Sequence, residues 1–261
     1  METCPKIQML SFDMKFCNYD ITDFTEKLFS YIYTHYQENP ESYQKEMSDL
    51  LQLRDNALNA SRDFMGLNLL KKYYHQLQLL SNRFPMKSTE ECETEFSWDE
   101  LYNEKEMVHN DVRFEQENIL YNIGALHSYL ACLDKRNNDE GIKISCTHFQ
   151  YAAWAFQTIK DTYSSIGFTS DLNEEVMLFK VNTMLAQAQE CVLEKSIVDN
   201  RKHSINSKIS YQVVEYYKLA ISFLERSEFQ SSVGSKRTKV RLNQVLFKFY
   251  KIKYNFIHLF I

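Results

Sequence analysis

At 261 residues the chain can bury a sizeable core, either as one long domain or as two small ones. Its five Gly and three Pro, with no Pro after Pro85, favour long helices joined by short polar turns. A formal charge of −5 carries no overall nucleic-acid signal, and no apolar stretch approaches the ~20 residues that a membrane-spanning helix needs.

That charge is unevenly spread. After Glu228 there is no acidic residue, while Lys236, Arg237, Lys239, Arg241, Lys248, Lys251 and Lys253 bring seven positive charges. Seventeen Tyr and eighteen Phe supply large side chains for helix–helix packing. The six Cys (Cys4, Cys17, Cys92, Cys132, Cys146, Cys191) form no Cys-x-x-Cys pair, and the N-terminus lacks a basic region followed by an apolar run. The expectation is a chain without a signal peptide, holding reduced cytosolic thiols.

Taken in order, Gln8 to Met14 is predicted as a short strand, with Phe12 and Met14 alternating. Asp20 or Thr22 can cap a helix that carries Phe24, Leu28, Tyr31, Ile32 and His35 and stops before Pro40. A second helix runs from about Pro40 through Met47, Leu50, Leu51 and Leu58, with Pro near its first position. A third spans Arg62 to Arg83, and polar, acidic Pro85 to Glu95 reads as a surface loop. Phe96 to Glu100 is an extended entry with a Ser97…Glu100 capping box. Val112 to Asp134 is a strong helix; Gly124 inside it signals close helix–helix approach, since Gly there otherwise costs ~1 kcal/mol against Ala. After a turn at Lys135 to Gly141, Ile142 to Ser164 is the next helix, with Phe149, Ala152, Ala153, Phe156 and Ile159 buried.

The scaffold centres on a helical hairpin from Thr169 to Leu224. Met177, Val181, Met184, Ala188 and Cys191 recur at helical spacing and form one buried stripe. Leu178, Leu185, Val192 and Leu193 widen it to a second flank. The polar stretch Asp199 to His203 breaks the helix, and a second follows with Ile205, Ile209, Val213, Tyr216 and Ala220 on one face. Successive helix pairs of this kind suggest a solenoid-like, mostly all-α body, although no 34-residue repeat is firm enough to identify tetratricopeptide repeats.

Nothing in the spacing of polar residues points to catalysis. The five Gly are isolated, so no nucleotide loop is present, and the seven His show no ligand spacing. His127 and His148 read as satisfied helix histidines; Glu115, Glu117 and Glu190 read as solvated or capping residues. The chain reads as a binding module with neither cofactor nor metal.

Four stretches, in this order and spacing, resemble the Bro-one (BRO) domain family. They are Phe96-Ser-Trp98, Phe114-Glu-Gln-Glu-Asn-Ile-Leu-Tyr-Asn-Ile-Gly-Ala-Leu-His-Ser128, Gly141-Ile-Lys-Ile-Ser-Cys-Thr-His-Phe-Gln150 with Ala152, Ala153 and Phe156, and Met184-Leu-Ala-Gln-Ala-Gln-Glu-Cys191. The resemblance covers about Ile7 to Ser235. Asp134-Lys-Arg136, Ser145-Cys-Thr-His148, Glu194-Lys-Ser196 and Asp199-Asn-Arg-Lys202 are most similar to the family's phosphatase-type members.

The resemblance implies a curved helical solenoid with tetratricopeptide-like helix pairs and a small β element near the N-terminus. It implies a non-catalytic adaptor of the endosomal sorting (ESCRT) pathway, cytoplasmic and recruited to endosomes during sorting to multivesicular bodies. The partner it implies is the C-terminal amphipathic helix of an ESCRT-III subunit of the charged multivesicular body protein four class, bound helix-in-groove. The family's apolar patch falls on Val192, Ile205 and Ile209, bordered by Lys195 and Lys208, and Thr147 matches a determinant for other endosomal sorting adaptors. Periodicity alone, by contrast, places Ile205 and Ile209 in the core, in line with Val213 and Tyr216; the resemblance makes them exposed, and that reading is adopted.

Residues 1–235 are expected to form the family domain, incomplete at its C-terminus, and residues 236–261 a basic, apolar-ended segment. An alternative to the adaptor is a peripheral membrane-binding protein whose Lys248, Lys251 and Lys253 contact anionic lipid.

Overall fold

The computed structural model describes residues 8–17, 24–102 and 105–227. Its described residues fall into two compact units, one of residues 14–123 with 166–170 and the other of the remainder. Asp20, Thr22 and the 228–261 segment, including the boundary expected at 235, lie outside the described residues.

In the first unit, α1 (Thr25–Tyr31) continues into one π-helical turn, Ile32–Tyr36, which ends on Gln37 in the left-handed conformation. Pro40 opens a short 3-10 turn, Pro40–Tyr43, whose first amide is held by the Asn39 side chain; α2 (Gln44–Leu58) follows. Asp63 caps α3 (Phe64–Arg83) by accepting the Gly66 N–H at 2.9 Å. β1 (Phe96–Asp99) pairs antiparallel with β2 (Glu106–His109), Phe96 opposite His109. The first half of α4 (Val112–Leu133) completes this unit.

The expected Ser97…Glu100 capping box does not form, because both residues have other duties. Ser97 lies in β1 and donates to Glu106 of β2 at 2.5 Å, while Glu100 accepts from the amide and hydroxyl of Ser170 at 3.0 and 2.8 Å. Glu106–His109 carried no strand expectation, since it is short and largely exposed; pairing with β1 makes it a strand.

Glu115 is neither solvated nor a cap. It is fully buried and accepts from Arg54 Nε at 2.9 Å, Tyr73 Oη at 2.9 Å and Trp98 Nε1 at 2.6 Å. One carboxylate thus joins α2, α3, β1 and α4. Burial alone would lower the Arg54 guanidinium pKa, but the Glu115 charge and hydrogen bond, together with Tyr73 and Cys17, outweigh it and raise that pKa. Burial likewise pushes the neighbouring Cys17 thiol up to about 11.

The second unit is a run of antiparallel helices: the end of α4, α5 (Asp139–Thr162), α6 (Glu174–Val198) and α7 (His203–Arg226). Asn138 and Asn173 cap α5 and α6, accepting the amides of Gly141 and Val176. A Cβ on Gly124 would stand 2.8 Å from Phe156 Cε1, so the close approach of α4 to α5 requires a residue without one. His127 and His148 are buried and face each other Nδ1 to Nδ1 at 2.8 Å, one ring donating and the other accepting.

The stripe Met177, Val181, Met184, Ala188 and Cys191 is buried as the spacing predicts. Phe179, Ala186 and Leu193 of α6 pack with Val213, Val214, Tyr217, Ala220 and Leu224 of α7. Glu190, also buried, accepts the Tyr217 hydroxyl, and so braces the hairpin rather than meeting solvent.

Residues 8–17 form no strand. Within the second unit, the Gln187 side chain accepts from the Leu10 amide at 2.5 Å and donates to its carbonyl at 2.9 Å. Asn122 does the same for Lys15 in the first unit, at 2.7 and 3.0 Å. A carboxamide carries one donor and one acceptor side, so it can satisfy a residue's backbone as a neighbouring strand would.

Candidate partner-docking site

The site is built on the hairpin of α6 and α7. Its turn is a Schellman motif: Arg201 N–H bonds the Ser196 carbonyl at 3.0 Å and Asn200 N–H bonds Ile197 at 3.0 Å, with Asn200 left-handed at φ 51°. The Ser196 hydroxyl then donates to Asn206 Oδ1 at 2.6 Å across the two helices. These bonds fix the rotation of α7 about its axis.

That rotation inverts the usual sorting of side chains. Asn206 and Ser210 are buried, at 3 % and 0 % exposure, while Ile205 is 40 % exposed. Ile209 is half-buried against the hairpin core, and Val192 on α6 is also 40 % exposed. The buried row on α7 is Asn206, Ser210, Val213, Tyr217, Ala220 and Leu224. The periodicity reading of Ile205 as core therefore fails, and Tyr216 is only partly buried. Apolar residues left outward while polar ones are buried at hydrogen-bonding cost mark a surface with a use.

Lys195 and Lys208 differ. Lys208 is exposed on α7. Lys195 already has two carboxylates, Asp139 Oδ2 at 2.6 Å and Asp199 Oδ1 at 2.5 Å, and these hydrogen bonds raise its pKa. With the buried pair Arg136–Glu194 at 2.9 Å, Lys195 ties the start of α5 and the turn before it to α6. Thr147 is exposed on α5, next to Cys146, whose thiol donates to the Ala188 carbonyl one turn before Val192. Lys248, Lys251 and Lys253 lie outside the described residues. Among the described residues no group of three or more metal-ligating side chains converges, and no helix is long and apolar enough to cross a membrane.

The model of one protein family, the BRO1-like domain, matches residues 9–258. The chain belongs to that family. It is 43 % identical over 236 residues to mouse tyrosine-protein phosphatase non-receptor type 23, covering 90 % of this chain and 14 % of the phosphatase. It is 31 % identical to the vacuolar protein-sorting protein bro-1 of Neurospora crassa, over 90 % of this chain and 22 % of that protein. The chain thus spans a small fraction of the length of these relatives. Among solved structures, an ALIX BRO1 CHMP4C complex superposes with a TM-score of 0.83 at 24 % identity, over 96 % of this chain and 71 % of that one. A structure described as the basis for endosomal targeting by the Bro1 domain gives 0.80 at 21 % identity, over 97 % and 71 %. The helical BRO1 fold is common to all three.

Proposed function

We propose that this BRO1-like domain is a non-catalytic adaptor of endosomal sorting, which binds the C-terminal amphipathic helix of an ESCRT-III subunit on the outer face of α6 and α7. The observation that carries this reading is the inverted first half of α7, where Ile205 is exposed and Asn206 and Ser210 are buried. Val192, Ile205 and Ile209 supply apolar anchors, which dominate helix-in-groove recognition. Lys208 supplies a cation for an acidic residue at the rim. Lys195, already neutralised by Asp139 and Asp199, contributes less than Lys208. The names of the relatives support the same reading, being those of a vacuolar sorting protein and of a BRO1 domain in complex with CHMP4C. Thr147 extends the surface on α5 toward other endosomal sorting adaptors. In this account the chain acts at the cytoplasmic face of endosomes.

Titrating the CHMP4C C-terminal helix peptide into the chain tests the proposal. Saturable binding is expected, weakened at least tenfold by Val192→Asp. A folded wild type with no affinity for the peptide overturns the assignment.

A further inference from the structure

The turn between α6 and α7 presents three basic side chains in a row, Arg201, Lys202 and His203, followed by Ser204 and Ile205. All five residues are exposed. Ser204 therefore has Arg three residues before it, Lys two before it and an apolar residue after it. Kinases that discriminate by charge pattern offer carboxylates to upstream cations and an apolar pocket to the residue that follows the acceptor. We propose that Ser204 is a phosphorylation site for arginine-directed serine kinases, and that its phosphate closes the α6–α7 apolar face to an acidic partner helix. The second half rests on the docking reading above.

The start of α7 favours modification here. Lys202 has non-helical torsions (φ −53°, ψ 140°), so it and Arg201 stand exposed ahead of α7. Lys202 occupies the N-cap position without a side-chain cap, which leaves the first-turn amides without that acceptor. A phosphate on Ser204, the second residue of α7, would stand at the positive end of the helix dipole and supply acceptor oxygens to that turn. Lys208 is four residues on and also exposed, the spacing at which an acidic group pairs with a following Lys on one helix face.

The chemistry is a phosphoryl transfer from ATP. Ser204 Oγ forms the new bond to the γ-phosphorus as the bond from that phosphorus to its bridging oxygen breaks. ADP departs, and the hydroxyl proton passes to the kinase's base. The product carries about 1.5 to 2 extra negative charges beside Ile205. It draws Lys208 into an intrachain pair, and the rim that attracted carboxylates now repels them.

The test treats the full 261-residue chain with ATP and the catalytic subunit of cyclic-AMP-dependent protein kinase, and maps phosphate by mass spectrometry. Near-stoichiometric phosphate on Ser204 is expected, falling at least tenfold in Arg201→Ala. The purified phosphorylated chain should bind the CHMP4C helix peptide at least tenfold more weakly than the unmodified chain, with Lys208→Ala narrowing the gap. Absence of phosphate from Ser204, in a chain whose melting curve shows it folded, overturns the site. Equal peptide affinity of the two forms overturns the switch. If the unmodified chain ignores the peptide, the docking reading and the switch fall together, while the phosphate yield and its dependence on Arg201 still decide the site.

Discussion

Glu115 shows how a single residue can escape sequence reasoning. On its helix it looks like any surface glutamate, and its three partners come from positions 54, 73 and 98. Nothing local in the sequence marks that convergence; the fold creates it. Glu190 is similar, with its Tyr217 partner 27 residues away. Asp111 is the acidic residue whose titration should be felt. It is buried and accepts from the Arg113 guanidinium at 2.7 Å and from the amides of Arg113 and Ser88. Burial would raise its pKa, yet these bonds prevail and hold it below the ordinary 3.8. A depressed carboxylate stabilises the fold above its unfolded pKa, and that contribution fades as pH falls through the folded value. Wild type should therefore exceed Asp111→Asn in stability at about pH 6, and the gap should narrow steadily as pH falls below the ordinary carboxylate range. Urea unfolding at a series of pH values measures it; a gap that widens in acid contradicts the assignment.

At the level of helices and turns, spacing located α2, α3, α4, α5, α6 and α7 within a few residues, because each carries a long apolar row. It misjudged the phase of α7. Ile205, Ile209, Val213 and Tyr216 align at helical spacing, but the buried row runs through Asn206, Ser210, Val213 and Tyr217. Hydrophobicity could not show this, since the row is set by the Ser196–Asn206 bond and the Asn200 turn. The family resemblance marked both Ile205 and Ile209 as exposed; Ile205 is, whereas Ile209 is half-buried against the hairpin core. The reading of residues 8–14 as a strand failed for a related reason: the partners of this backbone are side chains, the Gln187 carboxamide at Leu10 and the Ser128 hydroxyl at Phe12. Gly124 offers an element-scale test. Ala is the better helix former by ~1 kcal/mol, yet its Cβ would meet Phe156 and the Ala155 Cβ at 2.8 and 3.1 Å. Overpacking of this kind typically costs about 1–3 kcal/mol, so Gly124→Ala should lower the melting temperature by several degrees. A rise would show that Phe156 yields freely.

For the molecule as a whole, fold and function were legible to different depths. Low Gly and Pro content with uninterrupted apolar rows announced a helical body, and four ordered motifs pointed to the BRO1-like family that matches residues 9–258. The partner surface could not be derived from periodicity, because an outward apolar residue and an inward one have the same spacing signature. Helix docking on α6 and α7 requires Ile205 to be outward and used. The most direct measurement pairs a melting curve with CHMP4C-peptide titration for wild type and Ile205→Asp. Ile205→Asp is expected to melt within a few degrees of wild type, as an exposed substitution should, while losing most of its peptide affinity. A variant that unfolds, as a charge buried without a partner would cause, contradicts the exposed face; one that folds and binds like wild type contradicts its use.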